Sequence, residues 1–194
     1  MTKFFINFDR EQFQSLLLGN YCDRAGIISG TSKSAEELCR KITAWLYGGG
    51  RFNSLLIGGG VGTGKTTLVE ALFSTLRMLA DMGVGFNLKM RVKAPQVANE
   101  GKLQEGLLDS LMETKGLIID DLGSEAPVVK IYGSEWRPME TLIKRRSDDQ
   151  LPTIVTTNLS LEQIERQYDS PRMADVLAQY DRITIEGKTS FRRL

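Results

Sequence analysis

The sequence predicts an α/β fold in which helices cover both faces of a parallel sheet. Short apolar segments typical of buried strands alternate with longer segments of helical periodicity, and this alternation indicates a parallel α/β sheet. Polar residues of the kinds that bind phosphate or metal follow three of the predicted strands, and ligands of such sheets collect at the carboxyl ends of the strands. With 194 residues, of which 41% are hydrophobic, the chain suits one domain with a substantial core.

The composition excludes several kinds of site. The 25 Lys and Arg residues nearly balance the 24 Asp and Glu residues, so no overall field attracts nucleic acid or a membrane surface. Histidine is absent and Cys22 and Cys39 are the only cysteines, which excludes a Cys/His zinc site and argues against a disulfide framework. The N-terminus has no signal-peptide core and no segment is apolar enough to span a bilayer. We therefore expect a cytoplasmic protein without a membrane partner.

Two helices are predicted before residue 50. Residues 9–21 carry apolar side chains at helical spacing, with Asp9 as the N-cap. After a break rich in Gly, Ser and Thr at 26–34, Ser34 opens a capping box and a second helix. Three glycines at 48–50 end that helix. We expect residues 1–50 to form a helical segment that leads into a core domain at 51–194. The apolar face of the second helix consists of Leu38, Ile42, Trp45 and Leu46.

The most informative segment is glycine-rich and lies between a strand predicted for residues 54–57 and a helix predicted for residues 67–79. It fits the phosphate-binding pattern G-x-x-x-x-G-K-[ST] in full. Glycine lets backbone N–H groups wrap closely around phosphate oxygens at the start of a helix. A glycine-rich turn with an unrelated lysine is the alternative interpretation. The residues predicted to bind ATP are Gly59, Gly60, Val61, Gly62, Thr63, Gly64, Lys65, Thr66 and Thr67.

A basic strand is predicted for residues 86–93, where apolar and polar residues alternate without a break. Its polar face carries Lys89, Arg91 and Lys93. One interpretation is a charged edge strand that resists pairing with other chains. The other is a surface that follows a nucleic-acid backbone.

The remaining predicted elements continue the alternation of helices and strands. The sequence Lys144-Arg145-Arg146 within them indicates either a solvated helix face or a contact with DNA. Ser160 and Ser170 are predicted N-caps, and Pro138 fits the first turn of its helix better than the interior. The predicted helices are residues 102–113, 134–147, 161–168 and 172–179, and the predicted strands are residues 117–121, 153–156 and 182–185.

The polar residues at the strand ends predict a metal and water site beside the glycine-rich loop. In this scheme Lys65 reaches the β- and γ-phosphates and the Thr66 hydroxyl ligates Mg²⁺. Asp120, at the end of an apolar strand, would hold Mg²⁺ through water, and Asp121 would orient and polarise the attacking water. Asn158 is a neutral amide suited to positioning water near the γ-phosphate. The alternative for these last three residues is a set of ordinary turn signals.

These segments together resemble the AAA+ ATPases of the DnaC/DnaI helicase-loader and IstB transposition-helper group. The matching blocks begin near Trp45 and run through most of the chain. Besides the glycine-rich loop, they read GLIIDDLGSE at 116–125, PTIVTTNLS at 152–160, PRMAD at 171–175 and GKTSFR at 187–192. The IDDLG-x-E and TTNLS blocks, at this separation, are far more specific than the loop alone.

The resemblance implies a five-stranded parallel AAA+ sheet of the ASCE P-loop NTPase class and an ATPase that works as an oligomer. In that family the asparagine that matches Asn158 is sensor 1. The arginine that matches Arg172 acts as a finger on the ATP of the neighbouring subunit. Val176 stands where relatives carry a second arginine. Because the sequence stops soon after the last predicted strand, we expect little or no C-terminal helical lid.

Three functional hypotheses follow from the residues and the resemblance. The main one is a DnaC-like, Mg²⁺-dependent ATPase that self-associates and loads or remodels a replicative helicase on single-stranded DNA. The second is an IstB-like transposition helper that acts on duplex DNA with a transposase. The third is a slow nucleotide-dependent switch whose ATP state gates a protein partner.

Overall fold

Helices and strands alternate along the computed structural model, which describes residues 6–28, 30–100, 106–131 and 134–186. The helices are α1 (Arg10–Ala25), α2 (Lys33–Ala44), α3 (Lys65–Asp81), α4 (Ala94–Glu100), α5 (Leu107–Glu113), α6 (Pro138–Asp148), α7 (Leu161–Tyr168) and α8 (Pro171–Ala178), with a π-helical turn at Trp45–Gly49. The strands are β1 (Leu55–Gly58), β2 (Met90–Lys93), β3 (Leu117–Leu122), β4 (Val129–Ile131), β5 (Ser134–Trp136), β6 (Thr153–Thr157) and β7 (Asp181–Thr184).

Five strands form one parallel sheet in the order β2-β3-β6-β1-β7. This arrangement confirms the predicted α/β class and the five-stranded parallel sheet. The strands β3, β6 and β1 are neighbours, and since they are parallel their carboxyl ends meet at one edge. The three polar segments predicted to form a site therefore begin side by side.

Helices cover both faces of the sheet, as predicted. Successive side chains of β1 point to opposite faces, and accordingly Leu55 and Ile57 belong to one hydrophobic cluster whereas Leu56 belongs to another. The first cluster is completed by α1, α2 and α3, and the second by α4 to α8. The thiols of Cys22 and Cys39 are buried in the first cluster and are not disulfide-bonded, in agreement with the sequence.

A carboxylate of the sheet holds the segment that follows the N-terminal helices. Asp181, the first residue of β7, accepts hydrogen bonds from the Trp45 indole at 3.0 Å and from the backbone N–H of Phe52 at 2.8 Å. A side chain at Gly50 would collide with both groups, since a Cβ there would lie 2.5 Å from Asp181 Oδ2 and from Trp45. The glycine run that ends the second predicted helix is thus also where the chain enters the sheet.

The predicted N-caps are correct for three helices and displaced by two residues for one. Asp9, Ser160 and Ser170 each accept a hydrogen bond from a backbone N–H in the first turn of the helix that follows. For α2 the cap is Ser32 rather than Ser34, because Ser32 has an extended backbone and its hydroxyl accepts from Ala35 N at 3.3 Å.

Two predicted elements are shorter than the sequence pattern indicated. The strand predicted for 86–93 forms only at Met90–Lys93, because its partner β3 begins at Leu117. The helix predicted for 102–113 begins at Leu107, because Gly106 adopts a left-handed φ of 93°. Residues 102–105 of that prediction lie outside the described residues.

The start of the helix predicted for residues 134–147 was predicted wrongly. Ser134–Trp136 pairs instead with Val129–Ile131 as a small antiparallel hairpin, β4–β5. The helix itself begins at Pro138, whose lack of an N–H is harmless at the first helical position. The predicted block GKTSFR at 187–192 and the C-terminal lid prediction fall beyond the described residues. None of the helices in the described ranges is long and apolar enough to cross a membrane.

Candidate nucleotide-binding site

The glycine-rich loop wraps closely between β1 and α3. Gly59 has a φ of 152°, and a Cβ there would lie 2.6 Å from the carbonyl oxygen of Ile185 and 3.0 Å from Thr63 Oγ1. Gly64 has a left-handed φ of 92° and is the N-cap of α3 without a capping side chain. The first N–H groups of α3 therefore face the loop without a side-chain acceptor from Gly64, in the arrangement that suits an anion.

Lys65, the first residue of α3, lies over this loop. Its Nζ donates hydrogen bonds of 2.7 Å to the carbonyl oxygens of Gly59 and Gly60 and lies 3.4 Å from Thr63 Oγ1. Burial lowers the pKa of Lys65, and the negative charges of Asp121 and Asp120 act in the opposite direction. A lysine ammonium is thus held within the loop that the sequence predicts to bind phosphate.

Asp120 is fully buried at the end of β3 and each of its oxygens has a partner. Oδ1 accepts from the Thr156 hydroxyl at 2.6 Å and from the Thr66 hydroxyl at 3.3 Å. Oδ2 accepts from Arg91 at 2.8 Å. The contact with Thr66 connects the two residues that the sequence predicts as the Mg²⁺ site.

Asp121 reaches the same edge through an irregularity in the sheet. The register between β3 and β6 shifts between Ile119 and Leu122, and Asp121 has a φ of 65°, a conformation uncommon outside glycine. In a regular strand two consecutive side chains point to opposite faces, so the bulge is what allows both aspartates to serve one site. The Asp121 N–H donates to Thr156 Oγ1 at 2.8 Å, and Asn158 Nδ2 donates to Asp121 Oδ1 at 3.2 Å.

The structure brings all but one of the predicted site elements together. Arg172 is the exception, because it lies on the first turn of α8 with 69% of its side chain exposed, 3.8 Å from Asp148. It belongs to a surface cluster of charged residues on α6 and α8 rather than to the cleft. One cleft at the sheet edge is lined by Val61, Gly62, Gly64, Lys65, Thr66, Thr67, Asp121 and Asn158.

Several residues of the site carried no predicted role. Thr156 holds both Asp120 and Asp121, as described above, and the signal in the sequence was a polar residue inside a buried strand, which must find a partner. Arg91, predicted to lie on an outward basic face, instead contacts Asp120. Glu125, in the turn after β3, is buried and accepts hydrogen bonds from Gly123 N and from the Tyr168 hydroxyl of α7. Burial raises the pKa of Glu125, although these hydrogen bonds oppose that effect.

The Gly123 turn fixes the end of β3 against α7. Gly123 has a φ of 93°, and a Cβ there would lie 2.4 Å from Leu159 Cδ1. Its carbonyl oxygen accepts from Gln167 Nε2 at 2.7 Å. The segment that follows the two aspartates is therefore held at both ends by the helix that follows Asn158.

The two basic segments of the sequence are not rows of free cations. Arg146 is fully buried, and its guanidinium donates to the carbonyl oxygens of Leu111, Thr114 and Pro152 and to the Thr153 hydroxyl. Lys144 and Arg145 pair with Glu140 and Asp149 on their own helix. The strand β2 is an edge strand, as one interpretation required, and its Arg91 turns into the site. Lys89, just before β2, lies over the Phe86 ring.

The donor set at this cleft suits a magnesium–phosphate ligand. Thr66 and Asp120 offer only oxygen atoms, which Mg²⁺ prefers, and Mg²⁺ commonly keeps several waters and uses few protein ligands. In keeping with that, the described part of the chain contains no group of three or more Cys, Asp or Glu residues that could enclose a metal ion. The backbone N–H groups of the glycine-rich loop and the Lys65 ammonium are the hydrogen-bond donors that phosphate oxygens require.

Solved structures with similar folds include DnaI and the DnaC helicase loader. DnaI matches with a TM-score of 0.62 and 20% identity over 97% of this chain and 96% of its own. The DnaC helicase loader matches with a TM-score of 0.59 and 16% identity over 90% of this chain and 99% of its own. The replication initiator DnaA bound to AMPPCP and single-stranded DNA matches with a TM-score of 0.55 and 17% identity over 87% of this chain and 51% of its own.

Sequence comparisons add no closer relative, since no protein-family model and no curated protein sequence matches the chain. The structural matches confirm the predicted resemblance at the level of the fold. The chain has a parallel sheet in the order β2-β3-β6-β1-β7 with helices on both faces and a glycine-rich loop after β1. It therefore shares its fold with DnaI, the DnaC helicase loader and DnaA.

Proposed function

We propose that this protein is a Mg²⁺-dependent ATPase that self-associates and acts as a DnaC-like loader or remodeller of a replicative helicase on single-stranded DNA. The observation that carries the ATPase part is the contact between Asn158 and Asp121 beside Lys65 and Thr66. A carboxylate and an amide held together next to a phosphate-binding loop are the groups needed to orient a water molecule.

In this proposal the loop and Lys65 bind the triphosphate. The backbone N–H groups of residues 59–67 and the Lys65 ammonium offset the phosphate charges, since the ammonium already lies over the loop. Thr66 and Asp120 would hold Mg²⁺, directly and through water, and the ion would neutralise charge on the β- and γ-phosphates. Thr156 keeps the Asp120 carboxylate and the Asp121 backbone in a fixed relation.

Asp121 and Asn158 are the proposed catalytic residues of the subunit that binds ATP. Asp121 polarises the attacking water, and Asn158 orients both that water and the Asp121 carboxylate. The proposed roles agree with the accessibility of the two groups, because both line the cleft whereas Asp120 is fully buried. The buried acid is thus assigned to the metal and the accessible acid to the water.

Arg172 is proposed to act on the ATP of a neighbouring subunit. Its side chain is exposed and does not line the cleft of its own chain, which is what action across an interface requires. A guanidinium delivered from a neighbour stabilises charge in the transition state and makes hydrolysis depend on assembly.

The proposed partners derive support from the matched structures. The DnaC helicase loader covers nearly the same length as this chain, and the matched DnaA was solved with AMPPCP and single-stranded DNA. The Arg146 guanidinium is buried, and Lys144 and Arg145 form ion pairs with carboxylates of their own helix segment. We therefore do not assign DNA binding to that segment.

The test is ATP hydrolysis by the purified protein across protein concentrations, alone and with single- or double-stranded DNA. The Lys65→Ala protein, purified in parallel, reports any contaminating activity. Turnover per subunit that rises with concentration and with single strands supports the proposal. Stimulation by duplex alone indicates the transposition helper instead. Tight ATP binding without turnover under any of these conditions contradicts the ATPase and favours the nucleotide switch.

A further inference from the structure

Arg91 on the edge strand β2 joins two carboxylates beside the proposed metal site. Its Nη2 lies 2.8 Å from Asp120 Oδ2 and 2.9 Å from Glu70 Oε1. Only 18% of the Arg91 side chain is exposed, and Asp120 is completely buried. The Arg91–Asp120 pair is therefore shielded from solvent and from salt much more than a surface pair is, whereas Glu70 is 35% exposed.

The two oxygens of Asp120 have different partners. Oδ1 accepts hydrogen bonds from the hydroxyls of Thr156 and Thr66, whereas Oδ2 accepts a hydrogen bond from Arg91. Water ligands of a magnesium ion bound at Thr66 would need an acceptor on Asp120. Arg91 thus donates to an oxygen that the hydrated ion would use, and its charge repels a dication nearby.

Glu70 offers Arg91 a second acceptor away from the metal. It lies four residues after Thr66, so both residues are on the same face of α3. Because one Nη2 contacts both carboxylates, a small rotation of the guanidinium can exchange a bond to Asp120 for a stronger bond to Glu70. The cation need not leave the site for Asp120 to become available.

We propose that Arg91 is a positioning residue that sets the magnesium affinity of the nucleotide site by competing with the hydrated ion for Asp120, with Glu70 as the alternative acceptor. This inference rests on the proposed nucleotide-binding function. Removal of the Arg91 charge raises the affinity of the nucleotide site for Mg²⁺. Removal of the Glu70 charge lowers that affinity, because Arg91 is then left with Asp120 alone.

The experiment measures the affinity of a fluorescent mant-ADP for the full chain while MgCl₂ is titrated from an EDTA-containing buffer. Arg91→Met keeps much of the aliphatic length and removes the charge, and we expect its half-saturating Mg²⁺ concentration to fall on the order of tenfold. Glu70→Gln is expected to raise that concentration by a similar factor. The opposite signs separate competition from a general loss of structure, which weakens binding in both variants.

Arg24→Met is the matched control, because Arg24 is the other arginine beside Glu70. Its Nη1 lies 3.9 Å from Glu70 Oε2, and 39% of its side chain is exposed. It makes no contact with Asp120 among the ion pairs of the described residues. We expect this variant to follow the unaltered protein to within about twofold, since an exposed ion pair contributes little.

The outcomes separate the inference from the function on which it depends. If the unaltered protein binds mant-ADP but Arg91→Met and Glu70→Gln leave the Mg²⁺ dependence unchanged, or move it in the same direction, the inference is overturned and the nucleotide site stands. If the unaltered protein binds no nucleotide at any Mg²⁺ concentration, the proposed function is overturned and the inference with it. Should Arg91→Met fail to fold, Glu70→Gln alone decides, by the predicted increase or its absence.

Discussion

Asn158 donates a hydrogen bond from Nδ2 to Asp121 Oδ1 at 3.2 Å, and this bond joins the ends of two neighbouring strands. The Asp121 side chain reaches Asn158 because β3 bulges after Ile119 and Asp121 adopts a φ of 65°. A backbone conformation that costs free energy at a cleft is often associated with function. Substitutions in this pair therefore test catalysis separately from nucleotide binding.

We predict that Asp121→Asn binds ATP as the unaltered protein does and loses ATP hydrolysis. Asparagine tolerates the left-handed conformation, so the backbone is preserved while the negative charge that polarises water is removed. Loss of such a group lowers turnover by roughly 10²- to 10⁴-fold. Steady-state ATPase rates and nucleotide affinity, measured together, check the prediction.

The control for this variant is Asp169→Asn, which makes the same change at another left-handed residue. Asp169 has a φ of 48° and is the exposed C-cap of α7. It is expected to leave both rate and affinity unchanged. Equal ATPase rates for the unaltered protein and Asp121→Asn would show that Asp121 has no catalytic role.

We predict that Arg172→Ala spares nucleotide binding and removes the part of ATP hydrolysis that depends on assembly, up to roughly a thousandfold. The side chain is exposed and distant from its own cleft, so little else should change. Arg145→Ala, which removes another exposed arginine of the same surface cluster, is the control. ATPase rates as a function of protein concentration distinguish the two variants.

Mixing experiments test whether Arg172 acts between subunits. Arg172→Ala subunits keep an intact cleft, and Lys65→Ala subunits keep an intact Arg172. We expect the mixture to regain activity that neither preparation has by itself. Absence of any rescue, with assembly verified by light scattering, would count against action on a neighbouring subunit.

We predict that Arg146→Met destabilises the protein by at least about 3 kcal/mol, because it leaves several buried acceptors without a donor. The guanidinium makes four hydrogen bonds to three backbone carbonyls and one hydroxyl. Burial lowers the pKa of Arg146 to about 10. The group still carries its charge at neutral pH.

Arg145→Met supplies the comparison for Arg146, since the two residues are adjacent and Arg145 is 62% exposed. In urea unfolding, the free energy of unfolding of Arg145→Met is expected to differ from that of the unaltered protein by no more than about 0.5 kcal/mol. A similar small change for Arg146→Met would mean that the buried guanidinium contributes little and that its segment is available for another role.

We predict a pH-dependent contribution from Glu140, which supports the N-cap of the Arg172 helix. Its Oε1 accepts hydrogen bonds from Ser170, the N-cap of α8, and from Lys144. Burial by itself would raise the pKa of Glu140, but the hydrogen bonds from Lys144 and Ser170 and the charges of Lys144 and Arg137 together lower it. The folded state thus holds the proton less tightly than the unfolded chain.

The sign of the pH effect follows from that direction. A lowered pKa adds stability above the unfolded value of 4.5, and this stability is lost as the pH falls through the folded pKa. At pH 7, Glu140→Gln should be less stable than the unaltered protein by about 1–2 kcal/mol. In urea unfolding the difference should shrink below pH 4.5, and a difference that is constant from pH 7 to pH 3 would contradict the assignment.

Most of the site could be predicted from the sequence because its residues follow apolar strands. The positions of the predicted site residues depend on local pattern alone. Lys65 and Thr66 begin the helix that follows the loop after β1, Asp120 lies near the carboxyl end of β3, and Asn158 directly follows β6. Parallel strands then bring these ends to one edge without further information. The same local signals identified the caps at Asp9, Ser160 and Ser170.

The rest depended on contacts between distant segments. Alternation along β2 places Arg91 on the polar face, but its direction into the site is decided by Asp120 and Glu70, which lie 29 and 21 residues away. Arg146 looked like a surface charge because a basic run carries no sign of burial, yet carbonyls from α5 and from the segment before β6 surround it. The bulge at Asp121 likewise appears only once β3 pairs with β6.

The most direct test of the account is nucleotide binding by Lys65→Ala. Lys65 lies over the loop with two 2.7 Å contacts to its carbonyl oxygens, so truncation removes an ammonium placed to meet a phosphate there. Mg²⁺·ATP affinity should fall on the order of a hundredfold, whereas Lys41→Ala, an exposed lysine paired with Glu37 on α2, should bind as the unaltered protein does. Equal ATP affinity for Lys65→Ala, Lys41→Ala and the unaltered protein would contradict the assignment of this cleft as the nucleotide site.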